Sequence, residues 1–292
     1  MYTSARYVDS ALTTSIPALV DDEFELPSRV ARIGALANEV RACVLKMIHL
    51  AGSGHVSSSL SCVDIMSVLK FDRMESGHDV FVLSKGHAAP TWYAALMVAG
   101  ELDVAEIGTL RRIDSRLQGH PDRTRLDGVA VSTGALGQGL SVALGRAQAR
   151  RLRGDSSYAY CLVGDGELQE GQVWEAVMYA GSRGVGNVIL IVDYNRGQND
   201  GTTDEIMSLH PLPDKFRAFN WHVQEVNGHS HLAIRDAVIN AQAHQAQPSV
   251  IIAYTRKGYL APGHILLNGE HSGQLTEEVY EDAIATLEAL VL

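Results

Sequence analysis

Gly164-Asp165-Gly166-Glu167 follows directly on the β-branched and aromatic run Tyr158–Val163, and Asn195 stands just past the next apolar run, Val188–Asp193. That spacing has a chemical use. Glycines at a strand end let backbone amides approach a ligand without a side chain in the way. A helix starting beyond them offers unpaired N–H groups and the positive end of its dipole to an anion such as a diphosphate. Asp165 alone would oppose that anion, so a carboxylate there makes sense mainly with a cation between. If a helix crosses from the first run to the second, the two strands are parallel. Asn195 then emerges at the same carboxyl edge, where open α/β sheets bind ligands. A carboxylate, an amide oxygen and a nearby backbone carbonyl give three ligands, and diphosphate oxygens with water complete the roughly six that magnesium prefers. Taken alone, Gly-Asp-Gly is a common turn and Asn195 a common cap. The thirty-residue interval between Asp165 and Asn195, in a strand–helix–strand setting, favours the metal site.

Of twelve histidines, His55, His87 and His120 each follow a glycine and fall outside helical or strand periodicity. That places them on loops, where functional residues collect, and imidazole can give or take a proton near neutral pH. His229 and His231 have the spacing of a metal pair, but a solvated loop explains them better.

The elements that must position these groups are legible in the pattern. Ser28 reads as a helix cap, with Val30, Ile33, Leu36, Ala37, Val40, Val44 and Ile48 at helical spacing and Gly52 as the stop. Asp79–Ser84, Tyr158–Val163, Val188–Asp193, His222–Val226 and Val250–Tyr254 read as strands. Between them Ala88–Ala99, Gln138–Leu152, Gln172–Ala180 and Leu232–His244 read as helices. Alternation of this kind predicts an α/β fold, a mostly parallel sheet with helices on both faces. Residues 1–28 read as an extended arm and residues 29–292 as one domain. Leu260–Gly273 reads as a loop and Thr276–Leu290 as a closing helix.

The 292 residues, 46% hydrophobic and 20% charged, suit a globular protein. A formal charge of −10 argues against an electrostatic nucleic-acid binder, which usually shows a basic face. No apolar run approaches a membrane span, and the N-terminus lacks a signal-peptide pattern, so the expected setting is cytoplasmic. Cys43, Cys62 and Cys161 have no metal-type or redox spacing.

Gly164-Asp165-Gly166 with Asn195 thirty residues on resembles the thiamine diphosphate signature. The segment Gly164–Ala176 and the stretch Asn187–Asn195 resemble transketolase more narrowly. So do Gly54-His55, Ser84-Lys85-Gly86-His87, Gly119-His120-Pro121 and Gly134-Ala135-Leu136-Gly137-Gln138-Gly139. The similarity runs from about residue 30 to about residue 275. It implies the thiamine diphosphate-binding fold, restricted to the diphosphate-binding domain, with Mg2+ (or Ca2+ or Mn2+) held by Asp165, Asn195 and the backbone oxygen of Gly197. Gly166 would give an amide to the diphosphate, with Gly164 and Glu167 beside it. Gly134, Ala135 and Leu136 would form a loop against the cofactor, and Glu170 would sit at a subunit interface. His55, His87 and His120 would line the channel to the reactive carbon, His87 also touching the cofactor. His264 is a further catalytic candidate, with His271 competing for that place. Gly197 departs from the family's aliphatic residue, and Val56-Ser57-Ser58 from its Pro-Gly sequence.

The family's activating glutamate and phosphate-binding arginines belong to a second, pyrimidine-binding domain. The resemblance therefore implies one subunit of a split transferase, an α2β2 assembly completed by a transketolase-like C-terminal subunit. It would move a two-carbon ketol unit from a ketose phosphate or related donor to an acceptor. Two other readings stand beside this one: transfer to a lipoyl or carrier-protein thiol, as in oxo-acid dehydrogenases, and a noncatalytic regulatory partner.

Overall fold

The computed structural model describes residues 25–269 and 275–290. Most of the expected arm, the end of the expected 260–273 loop and His271 lie outside them. The chain divides into two compact units, where the sequence pattern points to one domain.

One unit comprises Arg73–Gly86 and Pro121–Thr255. It holds β1 (Val80–Leu83), α5 (Gly139–Leu152), β2 (Ala159–Gly164), α6 (Gly171–Arg183), β3 (Val188–Tyr194), α7 (Thr203–Met207), α8 (Leu212–Ala218), β4 (His222–Asn227), α9 (His231–Ala243) and β5 (Ser249–Tyr254). The strands form one sheet in the order β1-β2-β3-β5-β4, parallel throughout. Every residue of β1, β2 and β3 is buried, which is why these runs read as continuously apolar rather than alternating.

The two faces of the sheet follow from the period of two. Ala159, Cys161, Val163, Val188, Leu190 and Val192 share a core with Leu140, Ala143 and Leu144 of α5, Val173 and Val177 of α6, and Phe216 of α8. Tyr160 points the other way, and its hydroxyl accepts from Gln242 Nε2 of α9 at 2.7 Å. Helices thus cover both faces, as expected. α6 ends at Gly184, whose φ of 56° supplies the left-handed cap that other residues adopt at a cost.

The other unit comprises the chain up to Asp72, His87–His120 and the chain from Arg256. It is built on α1 (Leu26–Ala51), with α2 (Val56–Leu60), α3 (Val63–Val68), α4 (Ala89–Val98) and α10 (Glu277–Ala289). α1 buries Ile33, Leu36, Ala37, Val40, Val44 and Ile48 and stops at Gly52 in the left-handed conformation, as the periodicity predicts. Its start differs: it begins at Leu26 with Pro27 in the first turn, so Ser28 lies inside the helix and does not cap it. A proline pre-sets the first-turn backbone, so no side-chain cap is needed.

The tail also differs from a plain loop. β6 (Tyr259–Ala261) and β7 (His264–Ile265) form a two-stranded antiparallel hairpin, and the Gly258 N–H donates to Ser57 O at 2.9 Å. A two-residue strand carries too little periodicity to be seen in sequence. No described helix is long and apolar enough to cross a membrane.

Candidate functional site

Four parallel strands deliver polar residues to one edge of the sheet. β1 runs out into Ser84 and Lys85, β2 into Asp165, β3 through Asp193 into Asn195, and β5 into Thr255. Pairing in register sets Gly164 beside Asp193, so Asp165 and the Asn195–Gly197 turn come together as the sequence spacing predicts. Asp165 Oδ2 accepts the Arg196 N–H at 2.6 Å, and Asn195 Oδ1 accepts the Gly197 N–H at 3.1 Å. The chain bends at Arg196, whose φ of 64° lies in the left-handed region. A Cβ placed on Gly166 would fall 2.7 Å from Gln198 Cβ and 3.6 Å from Gly197 O. Only glycine leaves that space open, and it brings the Gly197 carbonyl close to the Asp165 turn.

The charges around this turn test its fitness for a cation. Asp165 is fully buried. Burial first, and the neighbouring Asp193 second, push its carboxyl up to about 7. Lys85, also buried, is committed by ion pairing to Asp193. Among the described residues no cationic side chain forms an ion pair with Asp165, so ionising it leaves the cluster one negative charge in excess, which a bound cation would offset. No group of three or more His, Cys, Asp or Glu side chains gathers among the described residues. The donor set here is instead one carboxylate, one amide oxygen and one carbonyl, a hard oxygen set that suits magnesium or calcium.

The setting of Glu167 bears on its expected place beside the cofactor. Glu167 is buried, with its carboxylate turned into the protein. Its Oε1 accepts from Ser84 Oγ and from the Gly137 N–H at 2.9 Å, and its Oε2 from the Gly164 N–H at 3.2 Å. Glu167 therefore braces the glycine loops. Burial raises its pKa, and those three hydrogen bonds and Lys85 oppose the rise. A 3-10 turn, Gly166–Gln169, follows Asp165, and α6 starts at Gly171, within a residue of the expected Gln172. The Gly166 N–H is engaged by Asp165 Oδ1 at 3.0 Å. An anion there would have to share or displace that bond.

The Gly134–Gly139 loop packs at the same edge. Gly137, at φ 84°, lies so close to Glu170 that a Cβ would meet its Cβ at 2.7 Å. Leu136 is 38% exposed beside it, an apolar side chain presented by a loop held from beneath. Ala135 and Glu170 are also exposed, and Gly134 is half-buried.

In the other unit the structure brings His55 and His87 together, ring centroids 5.2 Å apart and tilted by 57°. His55 precedes the first turn of α2, and His87 sits in the 3-10 turn leading into α4. The loop carrying His120 is fixed from α4 by Tyr93, whose hydroxyl donates to Gln118 O at 3.0 Å. Burial, and then the positive charge of Arg111, lower the pKa of His120, so its imidazole is neutral at pH 7. Arg111 lies over Gly119, with Nε 3.0 Å from where a Cβ would sit, and donates to Ser53 Oγ at 3.2 Å. His264 is exposed on β7, in the hairpin that Ser57 holds.

Sequence reasoning missed Lys85, Asp193 and Thr255 as a unit. A signal existed. Asp193 interrupts an otherwise apolar strand, and Lys85 follows an apolar strand by two residues, so each was a buried charge in need of a partner.

Comparison with known proteins identifies the family. Residues 34–287 match the family described as transketolase, thiamine diphosphate binding domain. The chain is 41% identical over 260 residues to the 6-deoxy-6-sulfo-D-fructose transketolase subunit of Clostridium sp. (strain MSTE9), covering 86% of this chain and 94% of that one. It is 35% identical over 255 residues to an apulose-4-phosphate transketolase subunit of Phocaeicola vulgatus, covering 84% and 89%. The crystal structure of Campylobacter jejuni transketolase superposes with a TM-score of 0.80 at 30% identity, covering 89% of this chain but 43% of that one. The chain thus spans nearly all of two proteins named as subunits and less than half of a full-length transketolase. It belongs to the transketolase family, as a thiamine diphosphate-binding domain.

Proposed function

We propose that this chain is the diphosphate- and metal-binding subunit of a two-chain transketolase-like transferase that moves a two-carbon ketol unit. The observation that carries the reading is the turn at Arg196, where the Asn195 amide oxygen and the Gly197 carbonyl meet a buried Asp165 carboxyl that has no ion-pair partner among the described residues. Asp165, Asn195 and Gly197 O would hold magnesium, and the Gly134–Leu136 loop would lie against thiamine diphosphate. Bound there, the cofactor supplies the electron sink for cleavage beside a ketose carbonyl.

The chain's own residues orient the donor and manage its protons. His55 and His87 form a paired donor–acceptor surface for substrate hydroxyl and carbonyl oxygens, with His87 also near the cofactor. His120, neutral at working pH, can take a proton from a substrate hydroxyl. His264 is a fourth candidate on the hairpin. Glu170, exposed ahead of α6, would face the partner.

That partner is a transketolase-like chain with a pyrimidine-binding domain, in an α2β2 assembly. The relatives' names specify a sulfonated fructose and a phosphorylated apulose, so the donor assigned here is a ketose bearing an anionic group. The acceptor, a sugar aldehyde or a carrier-protein thiol, is set by the completed enzyme. Three buried free thiols support a reducing, cytoplasmic setting.

The test is reconstitution. The chain is combined with a transketolase-like pyrimidine-binding chain from the same organism, thiamine diphosphate and magnesium, and cleavage of sulfonated and phosphorylated ketoses is followed. Turnover is expected only with both chains, cofactor and metal. Turnover by this chain alone would refute the two-chain reading, and none from the combination would refute the transferase.

A further inference from the structure

Asp193 lies next to last in β3, in the run Val-Ile-Leu-Ile-Val-Asp-Tyr, and is fully buried. A carboxylate in such surroundings persists only when its oxygens are bonded. Its Oδ1 accepts from Thr255 Oγ1. Its Oδ2 accepts from Lys85 Nζ and, at 3.2 Å, from Asn195 Nδ2. Lys85 is 1% exposed, so the charge pair is sealed from water.

The consequence concerns Asn195. Its amide has two ends of nearly equal shape, one a donor and the other an acceptor. A carboxylate only accepts, so the end facing Asp193 has to be the NH2 group. The other end faces the Gly197 N–H, 3.1 Å away, which only an oxygen satisfies. Both contacts demand the same orientation, and the oxygen keeps a second lone pair. Flipped, the side chain would turn two N–H donors toward a cation and bind none.

We infer that Asp193, paired with Lys85, is a positioning residue that locks the Asn195 amide with its oxygen toward the metal of the diphosphate site. This rests on the metal reading proposed above and adds to it the groups that make Asn195 a competent ligand. A purely structural ion pair would hold strand ends together but would not care which way the neighbouring amide faces.

The test separates charge from orientation. Lys85→Met combined with Asp193→Leu removes both charges together, so no lone buried charge is left behind, and removes the acceptor. Lys85→Met combined with Asp193→Asn removes the charges but leaves an oxygen for Asn195 Nδ2. Mn2+ binding to the full chain with thiamine diphosphate is followed by electron paramagnetic resonance. The Leu variant is expected to lose about ten- to a hundredfold in affinity, the usual cost of losing a ligand's supporting partner. The Asn variant is expected to stay within about threefold of wild type. Equal affinity of the Leu variant and wild type, or equal losses in both variants, would overturn the inference.

A second readout needs no metal. In 15N spectra of the wild-type chain the Asn195 side-chain NH2 is expected to exchange slowly with solvent. Exchange at the rate of a free amide would overturn the inference even if the Leu variant failed to fold. A wild-type chain that binds no Mn2+ would count against the metal site itself and leave this measurement to decide the orientation.

Discussion

The Arg196 N–H donates to Asp165 Oδ2 at 2.6 Å and so joins the turn after β2 to the turn after β3. Together with the Gly166 N–H on Oδ1, it gives the buried carboxylate two backbone donors but no ion-pair partner among the described residues. Between the ordinary 3.8 and about 7 the folded chain without metal therefore holds a proton there that the unfolded chain would release.

Asp165→Asn is expected to separate stability from binding. The folded pKa, about 7, stands above the ordinary 3.8, so the metal-free chain loses stability as pH rises through that window and recovers none above it. A shift of about three units sets a ceiling of roughly 4 kcal/mol. Thermal unfolding without metal at pH 8 should show a higher midpoint for the variant. Calorimetry with magnesium, thiamine diphosphate and the partner chain should show at least about tenfold weaker cofactor binding. An unchanged binding isotherm would remove Asp165 from the site.

Glu167→Gln should unsettle three loops at once. The carboxylate serves Ser84, Gly137 and Gly164, and an amide offers one oxygen while turning an NH2 toward the remaining donors. The expected loss is about 1–3 kcal/mol, read by urea unfolding, with faster hydrogen exchange at Gly137 and Gly164. Exchange unaltered at both glycines would show that the brace is not holding them.

His120→Ala should leave thiamine diphosphate bound and slow donor cleavage in single-turnover experiments by about a hundredfold or more. Because burial and Arg111 together keep the His120 pKa low, Arg111→Leu should move it upward. In that variant the acid limb of the rate profile, and the His120 proton resonance titration, should shift to higher pH. A titration curve that stays in place would mean Arg111 exerts no field on this imidazole.

Glu39 on α1 is pushed up to about 7 by burial. Its folded form thus binds more protons than the unfolded chain between the ordinary 4.5 and about 7, and stability falls as pH rises across that range. Glu39→Gln should flatten the dependence of the melting midpoint between pH 5 and about 7.5 and raise the midpoint at the upper end. The side chain is partly exposed, so the gain is expected to be modest. Parallel melting curves for wild type and variant would exclude Glu39 as the source.

Much of the frame was legible because burial writes itself locally. All five strands of the sheet fall within a residue or two of the expected runs, and β1, β2 and β3 are the plainest because strands buried on both faces must be apolar. Gly52 ends α1 where the periodicity stops. Short elements escaped: α2, α3, α7 and α8 run from five to seven residues, too few turns for a helical period to stand out. The first helix was started too late because Ser28 looks like a cap, while Pro27 already sets the turn.

The sequence by itself determined which residues meet at the Arg196 turn, because two parallel strands joined by one helix bring fixed positions to one edge. It also determined the family. Tertiary structure alone decided how the buried charges are shared. Lys85 and Asp193 are separated by 108 residues, and Ser84 and Glu167 by 83. Nothing local couples them. They meet because the order β1-β2-β3-β5-β4 stacks those strand ends side by side, away from water, where each charge or carboxyl must find its partner within the protein.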